Sequence, residues 1–364
     1  MEEPLKAPEV CILLSTYNGA KYLSEQVESI RRQTFSNWTL LVRDDGSSDE
    51  TVAMVQRLRK VDRRVVLMQD TRGNLGAAPS FGVLLERAMT SGASYVALCD
   101  QDDVWQPDKL ARELAVIRRR EREVGETTPL LVHSDLSVVA QDLSVIHHSY
   151  LTFQGLRHQS RGCLARLLVQ NFVTGCTTVI NGALLRVAVP VPNVIMHDWW
   201  LALCAAALGE VLYLPEPTVL YRQHGENVLG SQGRRAALAE SLRRPFTWWR
   251  RSGLLLDQAI SQAGELKNRV ERETKPGAGP SHSLLLLWEV TSAFSVGSAL
   301  TRLRTMTRYG IRPRTFLPYP IRFYLQVMLR NRPYTTTAAT HPYGAEGRIP
   351  EGWASGVNST GRGK

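Results

Sequence analysis

The chain has 364 residues, 43% hydrophobic and 21% charged, which suits one large or two modest folded domains and excludes a disordered polymer. Its five cysteines are odd in number, scattered and mostly set in apolar runs, the pattern of buried reduced thiols rather than of a disulfide framework or a zinc site. A net charge of +10 admits nucleic acid, anionic lipid or phosphorylated substrates as partners; signs are mixed up to about Asp103, whereas arginine dominates from Arg234 to Arg332, interleaved with Trp, Phe, Tyr and Leu.

The start, Met1 to Lys6, is acidic and broken by Pro4, so it lacks the basic and apolar regions of a secretory signal, and a cytoplasmic protein is expected. Short β-branched runs then alternate with helical spacing. Strands are expected at Val10–Leu14, Leu40–Val42, Val65–Met68 and Tyr95–Leu98, with helices at Ala20–Arg32, Asp49–Lys60 and Ala77–Thr90, the second opened by a Ser48 cap. Such alternation implies an α/β fold whose mainly parallel, Rossmann-like sheet is buried on both faces. Pro107 suits the first position of a further helix reaching about Arg120. A strand at Leu130–His133, a hairpin near Asp142 and helical signals at Leu164–Gln170, Gly182–Val187 and Asp198–Leu208 follow. A strand at Val211–Leu214 and an extended Thr218–Tyr221 complete this part.

Beyond Gly225 the pattern changes to helices rich in Leu and Arg, and past Tyr334 the Thr, Gly, Pro and Ser content implies disorder. The expected organisation is a domain over 1–230, divided near 105, then a basic helical extension over 231–333 and a disordered tail over 334–364. The best apolar stretch, Leu284–Leu300, carries Glu289 and several Ser and Thr, and falls short of the roughly 20 apolar residues that cross a bilayer. Phe246–Arg251 and Ile321–Arg330 fit helices lying on an anionic membrane surface, with ordinary packing helices as the alternative. No nucleic-acid reading module is recognisable in the basic region.

In an open sheet of this kind ligands bind beyond the carboxyl ends of the strands. Four polar clusters stand there: Ser15–Gly19, Arg43–Thr51, Asp70–Gly76 and Asp100–Asp103. Turn chemistry accounts for Asp, Gly and Ser after any one strand, but less easily for four successive clusters. The last brings an apolar strand directly to three carboxylates, whose mutual repulsion calls for a cation. Hard divalent metals prefer such oxygen ligands together with nucleotide phosphates, and a solvated acidic turn is the competing reading.

In order and spacing, Ser15–Gly19, Asp44–Asp49, Asn74–Gly76, Asp100–Asp103 with Trp105 and Pro107, Thr174-Gly175 and His197–Trp200 resemble the inverting glycosyltransferases of family two, which use the GT-A fold. Together these pieces cover about residues 9 to 228. His197–Trp200 with Tyr221–Asn227 further resembles the bacterial rhamnosyltransferase-like branch, which assembles cell-surface polysaccharides. The resemblance implies a nucleotide-binding half over about 1–105 and an acceptor half over about 106–230. It places the donor's base and ribose on Thr16, Tyr17, Asn18, Asp44 and Asp45, with Asp100 at the ribose or a metal-bound water. Asp102 would bind Mn2+ or Mg2+, His224 would complete the metal sphere or contact the diphosphate, Arg222 would be a further phosphate partner, and Asp103 would support the ligands from behind. Asp198 would be the general base, although an Asp before an apolar helix is also a good N-cap. Trp199 and Trp200 are open to either an acceptor sugar or the core.

The implied partners are a nucleoside diphosphate sugar, with dTDP-rhamnose first, and a glycan or lipid-linked acceptor at the inner face of the cell membrane. A UDP-hexose or UDP-N-acetylhexosamine donor on the same fold is the alternative, as is a non-catalytic nucleotide-binding subunit of a polysaccharide assembly complex. A nicotinamide dehydrogenase is disfavoured because Ser15–Gly19 replaces the Gly-X-Gly-X-X-Gly turn.

Overall fold

A computed structural model of the chain describes residues 8–160, 162–224, 243, 245–274, 279–313 and 319–330. The acidic start, the Gly225–Asn227 end of the last motif and the tail expected to be disordered lie outside them. Nine strands form one sheet: β1 (Val10–Thr16), β2 (Trp38–Asp44), β3 (Val65–Leu67), β4 (Tyr95–Cys99), β5 (Val104–Trp105), β6 (Leu130–Val139), β7 (Val145–His147), β8 (Thr178–Asn181) and β9 (Glu210–Arg222). Their order is β3-β2-β1-β4-β8-β6-β9-β5, with β7 paired to β6. The β3-β2-β1-β4 half is parallel throughout. Beyond it, antiparallel β8 joins β4 to β6, and β9 returns parallel to β6.

The register follows from side-chain alternation. Cys11 and Leu13 of β1 point into one apolar layer, and Val10, Ile12 and Leu14 into the other, so the strand reads as a continuous apolar run. α1 (Leu23–Arg31), α2 (Thr51–Val61) and α4 (Lys109–Val124) contribute to the second layer. The first is filled by α3 (Ala77–Ala88), α6 (Cys163–Leu167), α7 (Gly182–Ala188) and α8 (His197–Leu208). Leu256, Ile260, Leu266 and Leu287 from the basic extension enter this same layer. Each fully buried aliphatic side chain contributes about 1.5–3 kcal/mol, so the extension shares a core with the sheet.

Several boundaries differ from expectation. α2 is not capped by Ser48: the helix starts at Thr51, whose N–H donates to the Asp49 carboxylate at 3.0 Å, while Ser48 N donates to Asn18 Oδ1 at 2.9 Å. Pro107 sits in the turn before α4, where its carbonyl accepts from Thr34 N at 2.8 Å. The two expected strands at 211–214 and 218–221 are one strand, β9, kept together by its long pairing with β6, whose register shifts around Asp135. β8 and the one-turn helix α5 (Tyr150–Gln154) were too short to read. Leu284–Leu300 breaks at Gly297 into His282–Ser295 and Ala299–Arg308, the second capped by Ser298 accepting from Thr301 N at 3.2 Å. No described helix is long and apolar enough to cross a membrane.

An ion pair without solvent fastens α4 to the far half of the sheet. Lys109 Nζ lies 2.5 Å from Glu113 Oε2, both side chains fully buried, and Glu113 Oε1 accepts from Thr218 Oγ1 of β9 at 3.2 Å. Removing one partner leaves an uncompensated buried charge. Lys109→Met is expected to lower the unfolding free energy in a urea titration by about 3–5 kcal/mol, with Lys109→Met/Glu113→Leu recovering most of it. A double variant no more stable than the single would contradict this account.

Candidate active site

The tips of β1, β2 and β4 lie side by side, Thr16 in register with Asp44 and Leu14 with Cys99. Past Thr16 the chain turns through Asn18, whose φ of 48° is a left-handed value that Asn tolerates better than most residues. Asn18 is fixed to the second cluster: its N–H donates to Ser47 Oγ at 2.9 Å, and its Oδ1 accepts from Ser48. Gln101 binds the first cluster to the acidic loop. Its Oε1 accepts from Thr16 Oγ1 at 2.7 Å and Tyr17 N at 2.9 Å, and its Nε2 donates to Tyr17 O at 3.1 Å. A Cβ at Gly19 would displace the Gln101 amide from this position. Tyr17 is left half exposed at the rim.

Asp44 and Asp45 diverge. Asp44 closes its own loop, accepting from Gly46 N at 3.1 Å, Ser47 N at 2.9 Å and Ser47 Oγ at 2.5 Å. The buried Asp45 carboxylate is paired with Arg43 and accepts from Leu75 N and Gly76 N, both at 2.8 Å. Arg43 is itself fully buried and also binds Asp70, Ser80 and the Gly73 carbonyl. The Asp70–Gly76 segment is thereby held against the tip of β2.

The acidic loop after β4 carries the strongest electrostatic perturbation. Asp100 is pushed up to about 7 by burial, then by the charges of Asp102 and Asp198. Asp103 is raised well above the usual carboxylate range by burial, then by Asp102 and Asp100. One Asp103 oxygen accepts from Arg222 N at 3.2 Å; the other is buried without a partner among the described residues. Asp102 Oδ2 lies 2.8 Å from His224 Nε2, so the two expected metal ligands, far apart in sequence, meet. The Tyr22 ring stacks on His224 at 4.9 Å.

Arg222 faces the loop backbone. Its Nε donates to Asp102 O at 2.9 Å, Nη1 to Gln141 O at 2.5 Å and Nη2 to Glu25 Oε2 at 2.5 Å. A second group of metal-capable atoms, from Asp100, Asp103 and Cys176, lies within 4.8 Å of one another. The Asp102 carboxylate oxygen suits Mn2+ or Mg2+, and the His224 imidazole nitrogen suits the softer Mn2+ better than Mg2+; the buried Cys176 thiol is too soft for either.

Asp198 enters from the other side, in the first turn of α8, where the helix dipole favours a carboxylate. It is not the N-cap, a position held by Met196. Its Oδ2 accepts from Gly175 N at 3.0 Å and its Oδ1 from Asn171 Nδ2 at 3.3 Å. Burial pushes Asp198 up to about 6, against the lowering effect of these hydrogen bonds. Gly175 brings the backbone this close; a Cβ there would stand 3.3 Å from His197 Nε2 and 3.6 Å from Asp198 Cβ. Trp199 and Trp200 are core residues instead of a sugar platform, their indole N–H groups donating to Leu167 O and Ala188 O.

Residues 11–128 match the family described as Glycosyl transferase family 2. That match covers the strand tips and acidic loop just described. The chain is a glycosyltransferase. Among curated relatives, TuaG of Bacillus subtilis (strain 168), a glycosyltransferase named for teichuronic acid biosynthesis, is 28% identical over 51% of this chain and 67% of its own length. A UDP-Glc:alpha-D-GlcNAc-diphosphoundecaprenol beta-1,3-glucosyltransferase, WfgD of Escherichia coli, is 26% identical over 53% of this chain and 67% of its own. The dTDP-rhamnosyl transferase RfbG of Shigella flexneri is 22% identical over 60% of this chain and 74% of its own. The chain thus spans about two thirds of the length of these relatives.

Sequence reading of this glycosyltransferase passed over Gln101, Cys176 and Tyr150. Gln101 is the unspecified middle residue of an Asp-X-Asp pattern, and Cys176 follows Thr174-Gly175 in an apolar run. Tyr150 is pushed up to about 12 by burial and then by the Asp198 charge. A general base must be deprotonated to act, so if Asp198 has the role that the resemblance implies, transfer is expected to rise with pH through about 6 and level off above it. A divalent cation bound beside the carboxylates lowers that midpoint. Initial rates at saturating donor, measured across the acid range, check this; a rate falling with pH over that interval would contradict it.

Proposed function

We propose that the chain transfers a sugar, with inversion, from a nucleoside diphosphate donor to a glycan or lipid-linked acceptor in cell-surface polysaccharide synthesis at the inner face of the cell membrane. One observation carries the reading: the Asp102–His224 contact of 2.8 Å stands in the same acidic cluster as Asp100, whose carboxyl feels the charges of Asp102 and Asp198. Thr16, Tyr17, Asn18 and Asp44 supply the donor's base and ribose subsite. Asp45 and Arg222 support it by fixing the neighbouring loops. A carboxylate accepts the imide N–H of uracil or thymine, so the chemistry suits a pyrimidine donor.

Asp102 and His224 would hold Mn2+ or Mg2+, which when bound supplies Lewis-acid neutralisation of the departing diphosphate. Asp198 takes the proton from the acceptor hydroxyl as that oxygen forms its bond to the anomeric carbon. The bond from this carbon to the diphosphate breaks on the opposite face, so one displacement inverts the centre. Protein groups that exclude water around Asp198 keep its proton affinity high enough to serve as a base.

For the donor we infer dTDP-rhamnose, supported by the His197–Trp200 pattern and the 22% identity to a dTDP-rhamnosyl transferase. A UDP-hexose is the second reading, favoured by the 26% identity to a UDP-Glc-dependent relative. Release of nucleoside diphosphate from each donor, with Mn2+ or Mg2+ and a chelator control, separates the two. Binding is recorded in parallel because the acceptor is unidentified. Asp198→Asn is expected to reduce transfer by about 10²–10⁴-fold while leaving metal-dependent nucleotide binding intact; unchanged turnover would remove this mechanism. Asp102→Asn or His224→Ala should instead raise the cation concentration needed for half-maximal nucleotide binding.

A further inference from the structure

The basic extension has two ends of different character. The acidic residues of the helix Pro245–Glu273 occur from Asp257 onward, and Glu289 is the next. Between 290 and 330 the chain holds seven arginines and no acidic residue; between 243 and 256 it holds four arginines and none. These two segments meet in space. Gln326 Nε2 donates to Trp249 O at 2.8 Å, and Arg330 pairs with Asp257.

Large apolar side chains are exposed at this basic end. Val296 is 87% exposed, Leu329 64%, Leu254 59% and Leu300 53%. Arg302 binds them into one neighbourhood, donating to the carbonyls of Gly297 at 3.4 Å, Met328 at 3.3 Å and Arg330 at 2.9 Å. Those carbonyls flank Val296 and Leu329, and Leu254 lies one turn before Asp257 on its helix. Arg250 and Arg304 stand exposed beside the patch, and Arg308, also exposed, pairs with Glu289 at 3.0 Å. Phe246, 85% exposed, extends the Leu254 stripe by two turns.

We propose that this face is the docking surface for a bilayer bearing anionic lipid, with Val296, Leu300, Leu329 and Leu254 entering the headgroup boundary and the arginines meeting lipid phosphates. Scattered apolar residues are ordinary on a surface, but large exposed ones gathered where arginines outnumber acids, with Asp257 and Glu289 already paired to Arg330 and Arg308, mark an interaction site. The charge is what selects an anionic membrane over a second copy of this chain, because two such arginine-rich faces repel each other. The assignment rests on the reading of a membrane-side acceptor, and names the surface that would bring the site to it.

Flotation of the full chain with phosphatidylcholine vesicles containing phosphatidylglycerol tests it. Association with these vesicles, but not with pure phosphatidylcholine, is expected, and it should weaken as salt rises. Leu300→Asp/Leu329→Asp and Arg250→Glu/Arg304→Glu should each lower the partition coefficient by about tenfold or more at unchanged melting temperature. Donor hydrolysis without vesicles should be the same in every form; its absence from all of them would count against the catalytic reading and leave the vesicle result standing. Equal binding to uncharged vesicles, or variants that float like the parent chain, would overturn the proposal. So would a parent chain that ignores vesicles and sediments as a dimer dispersed by Leu300→Asp/Leu329→Asp.

Discussion

The guanidinium of Arg222 joins the end of β9 to the acidic loop and to α1. From the last residue of β9 it donates to the carbonyls of Asp102 and Gln141 and to the carboxylate of Glu25, while its backbone N–H meets Asp103. Arginine suits this place because its planar fork satisfies several acceptors at fixed angles and keeps its charge when buried. Two residues further on, His224 is consequently set against Asp102. A residue that resemblance marked for phosphate therefore binds the backbone of the acidic loop, and the meeting of Asp102 with His224 leans on it.

Around that junction the carboxylates are held against their own repulsion. Burial first, and then the charges of neighbouring carboxylates, raise the proton affinity of Asp100 and Asp103, and burial raises that of Asp198, an arrangement that costs stability and persists because surrounding structure over-determines it. Shared protons or a bound cation relieve the same strain. The site is in this sense poised for positive charge, which protons or a cation would bring.

Legibility in the sequence divides along physical lines. The parallel half could be read because buried parallel strands are uninterrupted apolar runs, and their polar tips fall where ligands bind. β8, only Thr178–Asn181, leaves no periodicity to detect, and the long β9 was split because Pro215 and Pro217 interrupt its pattern. The pairing of Asp102 with His224 came from resemblance alone, since spacing cannot bring residues so distant together. Asp45, which the resemblance placed at the donor, binds Leu75 N and Gly76 N, and Trp199, open to either reading, donates to Leu167 O in the core. Gln101 went unremarked because an amide carries no charge to draw notice, although it makes three hydrogen bonds between the loops.

The extension is built into the wall behind Asp198. Arg269 of Pro245–Glu273 donates to the carbonyls of Val187, Val189 and Pro190, and its guanidinium lies 5.7 Å from the Trp200 ring. Gln262 Oε1 accepts from Ile195 N at 3.2 Å, just ahead of α8. The helix that presents Asp198 on its first turn thus has its other face clamped by the helix whose opposite end carries Leu254 and Phe246. Interiors packed to this density transmit displacement poorly as flexing and well as rigid movement. A surface that seats the basic end would therefore bear on the orientation of α8, because the same packing that buries Trp200 holds the turn on which Asp198 stands.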